Sequence, residues 1–326
     1  MISIRQVRHI LPPGKKPATL LRNEKDTPSS RKCKGRGRFC REEAMKNIAF
    51  VGLTNLDFVY YVDSMPKENE KCRTYRFKRT VGGPAANAAI TCALLGGKAT
   101  LLTAFGTSGE SRLMKEELES FGVNCINLSA EDSQPGVSAI CISPNGERTI
   151  ISGQVRYDFT DEAKLSGLTD ELLHSFDGAL FDCNQTDLAL PILNRLECET
   201  VLDAGSYKEH TEEFLKKASV IISSEKFRDS EGNDVFRMNC PKARFRAVTR
   251  GAAPILLEEG QIDITPADCI DSLGAGDILH GAFCFFYFEK QYPFRKALEL
   301  ASEVASESVR YEGPRAWSEH IRKEWQ

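Results

Sequence analysis

The stretch DSLGAGDILHGAF, Asp271 to Phe283, sets two glycines and an alanine directly before an aspartate, where an apolar helix is expected to begin. Glycine loses more backbone freedom on folding than any other residue, so such a cluster is tolerated where the chain turns tightly or something must come close. Backbone N–H groups at a helix start lack internal partners, and the helix dipole favours negative charge there. With Gly274, Ala275 and Gly276 leaving those amides unobstructed, an anion fits the turn. Asp277, in the first helical turn, can take a proton from an attacking hydroxyl. An anion cradle beside a carboxylate base is the geometry that phosphoryl transfer needs. The plain alternative is a glycine-rich strand-to-helix turn capped by Asp277, and the spacing alone does not choose between them.

Elements able to hold such a turn alternate along the chain from residue 47 onward, the pattern of an α/β fold. NIAFVG reads as a buried strand, AANAAITCALLGG as a helix of small residues and KATLLTAFG as the next strand. SGESRLMKEELESFG is an amphipathic helix that Gly122 ends at the C′ position. Later strands are expected at GALFDC, ETVLDAG, SVIIS, RAVTR and PILLEE. Two segments break the rhythm. Residues 57–80 alternate at strand period around a Pro/Glu/Asn turn, and 137–152 form a hairpin around PNGE. Together they predict a small sheet attached to the main one, a natural lid that excludes water during group transfer.

Composition bounds the function. The 326 residues are 41% hydrophobic and 27% charged, with a net charge of −3. Residues 1–44 carry twelve Lys or Arg against four acids, which leaves an acidic body and argues against nucleic-acid binding. The 11 cysteines show no CxxC pairs and sit mostly in apolar runs, which points to a reducing cytoplasm. No apolar run is long enough to span a membrane. The five histidines, His280 among them, are too scattered for a metal set, and FCFFYF reads as helix core. Ser206 and His210 lack a G-x-S-x-G context, and no G-x-G-x-x-G follows the first strand. A hydrolase triad and a dinucleotide fold are thereby set aside.

DSLGAGD resembles the C-terminal signature of the ribokinase-like (PfkB) carbohydrate kinases, usually written D-T-x-G-A-G-D, with Ser272 standing for threonine. GLTNLD (52–57) looks like the family's N-terminal G-x-x-x-x-D, and VGGPAANAA (81–89) like its second signature. PNGERTI (144–150) is similar to its lid hairpin and TRG (249–251) to its nucleotide-site T-x-G. The five motifs stand in family order and cover nearly all of 47–316.

The resemblance implies a mostly parallel sheet between helices, with a small β lid over the sugar. It makes Asp277 the base that deprotonates a primary sugar hydroxyl for attack on the γ-phosphate of ATP. Gly274, Ala275 and Gly276, with the Asp277 amide, would form the anion hole. Asn55, Asp57, Gly82, Gly83 and Asn87 would hold the sugar. Thr249, Gly251, Ser224 and Glu225 would attend the nucleotide. Magnesium would travel with ATP, with Glu225 acting on it through water, and the loop begun by Asp271 binds a monovalent cation in some members. IISSEKF lacks the family's usual asparagine, and TRG continues as GAAP without a second glycine, so the metal and nucleotide details stay open.

Lys71, expected on a lid strand, and Arg148, on the hairpin, would form a cationic rim if both point inward. The pattern around them looks like that of kinases acting on sulfofructose, and equally of ketohexokinases and fructokinases. The alternative pairs Arg148 with an acid on its own hairpin and leaves Lys71 solvated. The basic TYRFKRT strand is also open to a second reading, as the face through which a lid dimerises. Residues 1–44 read as an extension ahead of the true start at Met45, as a transit peptide or as a nucleic-acid- or partner-binding arm, and 45–326 as one kinase domain. A non-catalytic sugar or nucleotide sensor on the same fold is the alternative function. The intact Asp277 speaks against it.

Overall fold

Along the first strand of the computed structural model, side chains alternate between two interiors. Ile48 and Phe50 enter one core, while Ala49 and Val51 enter the other. Only a strand covered by helices on both faces is buried this way, which is the habit of parallel sheets. The structure describes residues 44–153 and 160–326, so the expectations for residues 1–43 lie outside it.

The chain runs β1 (Asn47–Val51), β2 (Asn55–Val62), β3 (Thr74–Gly82), α1 (Pro84–Leu94), β4 (Lys98–Thr103), α2 (Gly109–Ser120) and β5 (Asn124–Asn127). It continues through β6 (Gly136–Ile142), β7 (Arg148–Ser152), α3 (Glu162–Ser166), α4 (Asp170–His174), β8 (Gly178–Phe181), α5 (Thr186–Arg195) and β9 (Glu199–Ala204). The last elements are α6 (Thr211–Leu215), β10 (Val220–Ser224), β11 (Phe245–Arg250), β12 (Ala253–Leu257), β13 (Gln261–Ile262), α7 (Ala275–Cys284) and α8 (Phe294–Ser308). Nine strands form one sheet in the order β13-β12-β11-β10-β9-β8-β1-β4-β5, antiparallel only at β12 and β13. Strand order reverses around β1, whose neighbours are β4 and β8, and open α/β sheets bind ligands at the carboxyl ends beside such a reversal.

The lid is a separate sheet, β3-β2-β6-β7, so both segments that broke the α/β rhythm belong to it. Its inner face, Val59, Tyr61, Ile140 and Ile142, packs on Leu273 just before the glycine-rich turn. The basic residues of β3 tie it to the C-terminal loop. Arg76 pairs with the Glu312 carboxylate, and Lys78 donates to the Glu312 carbonyl at 2.6 Å. Gly122 follows α2 in the left-handed region, the helix end that the sequence predicts. The FCFFYF run starts in α7, continues through a π-helical turn at Phe285–Glu289, and is core as expected.

Candidate active site

Two helices carry the site, and small residues let them come together. A Cβ on Gly281 of α7 would lie 2.2 Å from the Ala88 carbonyl of α1, so only glycine permits this contact. The AANAA and HGAF runs are therefore a mated pair that sets the two helix N-termini side by side. Gly83 caps α1 at φ 98° and Gly274 caps α7 at φ 75°, conformations that residues with a Cβ rarely adopt.

Asp277 lies in the first turn of α7 and accepts a 2.6 Å hydrogen bond from Asn87 Nδ2 of α1. Burial raises its pKa, against the pull of that hydrogen bond. The amide of Ala275 donates to the Ser272 carbonyl at 3.3 Å. Among the described residues, the Gly276 and Asp277 amides have no protein acceptor, so they are the free donors of the expected cradle. Gly276 is exposed, with open space where a Cβ would sit.

Asn55 and Asp57 project from β2 on the inner face of the lid. Asn55 Nδ2 donates to Asp57 Oδ1 at 2.6 Å and to Ser138 Oγ at 2.9 Å. A Cβ on Gly82 would stand 1.9 Å from the Asp57 carboxylate, which accounts for the glycine there. Burial pushes Asp57 up to about 7, partly offset by the Asn55 hydrogen bond, while the Asp277 charge adds to the rise. Two carboxylates, one from the lid and one from the body, thus sense each other across the pocket.

The two cations foreseen in the sequence part company. Arg148 opens β7, and its Nη1 reaches the Ser272 carbonyl at 2.7 Å and its hydroxyl at 3.2 Å. It fastens the lid hairpin to the glycine-rich turn and does not pair with an acid on its own hairpin. Lys71 lies outside the lid strand, because β3 begins at Thr74, and it is exposed in the irregular stretch between β2 and β3. The segment's turn of proline, glutamates and asparagine lengthens that connection, which a period-2 reading could not delimit.

Of the residues expected to attend the nucleotide, Ser224 of β10 stands opposite Thr249 of β11. Ser224 Oγ donates to the Gly205 carbonyl at 2.7 Å, Thr249 Oγ1 to the Ser223 carbonyl at 3.2 Å, and the Glu225 amide to the Thr249 carbonyl at 2.9 Å. Gly251 has φ 61° and open space around it. The Glu225 side chain is exposed, an oxygen donor of the kind magnesium takes. Asp271 is held on three sides, accepting from Tyr61 hydroxyl, Gly313 amide and Leu273 amide, each at 2.8 Å.

Several charged residues that bond to elements of the candidate site were not legible in the sequence. Asp182, directly after β8, accepts from the Leu53 amide at 2.9 Å and the Ala85 amide at 3.1 Å, and its carboxylate fills the space a Cβ on Gly52 would need. Glu117 of α2 accepts from Thr80 Oγ1 at 2.6 Å. Arg315, in the C-terminal loop, donates to Asn87 Oδ1 at 2.6 Å. Single charged residues without a repeat or spacing signal gave no handle on any of the three.

Residues 45–165 match the family described as pfkB family carbohydrate kinase. A ribokinase from Dictyostelium discoideum is 27% identical over 306 residues, covering 82% of this chain and 95% of the relative. The mouse ketohexokinase is 24% identical over 311 residues, covering 82% and 97%. Among solved structures, an Agrobacterium tumefaciens protein assigned as a ribokinase superposes with a TM-score of 0.72 at 25% identity, covering 86% of this chain and 98% of its own.

Proposed function

We propose that the chain, which matches the pfkB family of carbohydrate kinases over residues 45–165, transfers the γ-phosphoryl group of ATP to a primary hydroxyl of a neutral sugar. The observation that carries the reading is the pairing of a half-buried, hydrogen-bonded Asp277 with the free amides of Gly276 and its own residue. The Asp277 carboxylate accepts the hydroxyl proton as the sugar oxygen bonds to the γ-phosphorus and the bond to the bridging oxygen of ADP breaks. Charge on the phosphoryl oxygens meets the turn amides and the Arg148 guanidinium. Burial makes Asp277 a better proton acceptor than a free carboxylate, so it contributes basicity as well as position. Magnesium bound with ATP would neutralise the phosphates, and the exposed Glu225 carboxylate would hold it through water.

The acceptor side is acidic. Asp57, Asp277 and Glu117 stand around Arg315, while Lys71 is exposed in the stretch between β2 and β3. This favours hydroxyl donors over an anionic substituent. Relatives named ribokinase and ketohexokinase make a pentose and a ketohexose the first acceptors to try. ADP release from MgATP across ribose, ketohexoses, aldohexoses and sulfofructose tests the reading. Turnover with a neutral acceptor, cut about 10³-fold by Asp277→Asn, is the expected result. A sulfofructose-only response would reverse the charge argument, and inertness of the folded protein toward the whole panel would return the sensor.

The outer face of the lid supports a homodimer. Phe77 packs beside Phe58 and Tyr60, and Val137 and Ile151 lie on the same face, with Phe77, Val137 and Ile151 exposed by 49%, 40% and 68%. Light scattering should give twice the monomer mass for the native chain and the monomer mass for Ile151→Lys. A monomeric native chain would remove this proposal.

A further inference from the structure

Asn87 uses both ends of its amide. Nδ2 donates to Asp277 Oδ2 at 2.6 Å, and Oδ1 accepts from Arg315 Nη2 at 2.6 Å. A carboxamide has nearly the same shape either way round, but its two ends have opposite hydrogen-bonding character. Turned over, it would press its carbonyl oxygen against a carboxylate, acceptor against acceptor. A guanidinium carries donors only, so Arg315 at Oδ1 forbids that orientation.

Arg315 is itself clamped from several elements. The same Nη2 reaches the Val81 carbonyl at the end of β3 at 3.1 Å, Nη1 reaches the Pro314 carbonyl at 3.3 Å, and the guanidinium lies 5.8 Å from the Phe121 ring centre. Its Nε, shielded from solvent, has no acceptor among the described residues. An unpaired buried donor costs stability, and such costs are retained where a group does other work.

We infer that Arg315 is a positioning residue of the transfer site, locking the Asn87 amide so that its N–H face holds the Asp277 carboxylate. The inference rests on the kinase reading above for its catalytic meaning, not for its geometry. Groups facing Asp277 are Asp57 from β2, Arg148 from β7, Asp182 after β8, Asp203 from β9, His280 from α7, and Arg315. Arg315 stands among Asp57, Asp277 and Glu117, so its removal leaves like charges uncompensated as well as an amide free to turn.

The test follows Asp277 directly. With ¹³C-labelled aspartate carboxyls, and Asp277→Asn to assign the signal, the Asp277 titration is recorded without sugar or nucleotide. Arg315→Gln is expected to raise its midpoint by about one pH unit, whereas the charge-retaining Arg315→Lys leaves it near the native value. In ADP-release assays Arg315→Gln lowers kcat about 10²-fold with KM for MgATP unchanged, and the acid limb of its pH–rate profile follows the carboxyl midpoint. Arg315→Lys loses about tenfold in kcat, because an ammonium cannot hold Asn87 and Val81 in one plane. An unmoved midpoint in Arg315→Gln, or a loss of activity equal to the loss of folded protein by near-UV circular dichroism, overturns the positioning role. If native protein proved inert toward every acceptor, the kinase reading would fall, while the titration would still decide whether Arg315 governs Asp277.

Discussion

The proposed acceptor end of the site and the proposed nucleotide end are built in different ways. At the acceptor end, Asn55, Asp57, Asn87, Asp277 and Arg315 form a connected set of short hydrogen bonds and opposed charges, drawn from β2, α1, α7 and the C-terminal loop. At the nucleotide end, Ser224 and Thr249 spend their hydroxyls on neighbouring carbonyls, while Glu225 and Gly251 face open space. The contrast follows from the chemistry. In the proposed reaction a proton and a phosphoryl group move between atoms held within a fraction of an ångström, which calls for holders fixed before substrate arrives. A nucleotide that must enter and leave each cycle is better served by a smooth, open strand edge.

Two glycines of α7 offer the sharpest way to break this contrast. Gly276 faces open space and Gly281 faces the Ala88 carbonyl, so one methyl group asks two different questions. Gly276→Ala is expected to lower kcat about 10²-fold by obstructing the phosphoryl group, with no loss of thermal stability. Gly281→Ala is expected to cost about 1–3 kcal/mol of stability by urea unfolding, because overpacking a tight helix contact forces the backbone apart. If Gly276→Ala were fully active, the free amides would not be the cradle. If both variants lost only stability, the glycines would serve packing alone.

The same contrast marks what the sequence made legible. Glycine clusters announce where backbone must approach backbone or ligand, so DSLGAGD and VGGPAAN located both helix N-termini, and period-2 alternation located the lid. Gly274 and Gly276 turn out to have separate reasons, a left-handed cap and an open cradle. Arg315, Glu117 and Asp182 escaped because each acts through a partner distant in sequence: Arg315 and Asn87 are separated by 228 positions. Lys71 was misplaced for a related reason. Alternation continues past the end of β2 into a stretch that does not pair, and composition cannot say where hydrogen bonding stops.

Protonation provides a finer test of the difference between the two ends. Asp57 titrates at about 7 in the fold and near 3.8 without it, the rise coming chiefly from burial. Between about pH 4 and 7 the folded chain therefore binds more protons at this residue than the unfolded chain does. Stability of the sugar-free protein should fall as pH rises through that window and level off above it. Sugar affinity should move the opposite way, because hydroxyl donors bind the ionised carboxylate. A group titrating at 7 is mostly protonated at pH 6 and mostly ionised at pH 8, so the sugar Kd should drop roughly tenfold between them by calorimetry. Asp57→Asn should flatten that dependence. MgATP affinity should change little over the same range, since the hydroxyls of Ser224 and Thr249 and the backbone at Gly251 do not titrate there. Sugar and nucleotide affinities that shifted together would mean that Asp57 acts through lid closure over both ends, whereas separate behaviour would confine its charge to the acceptor.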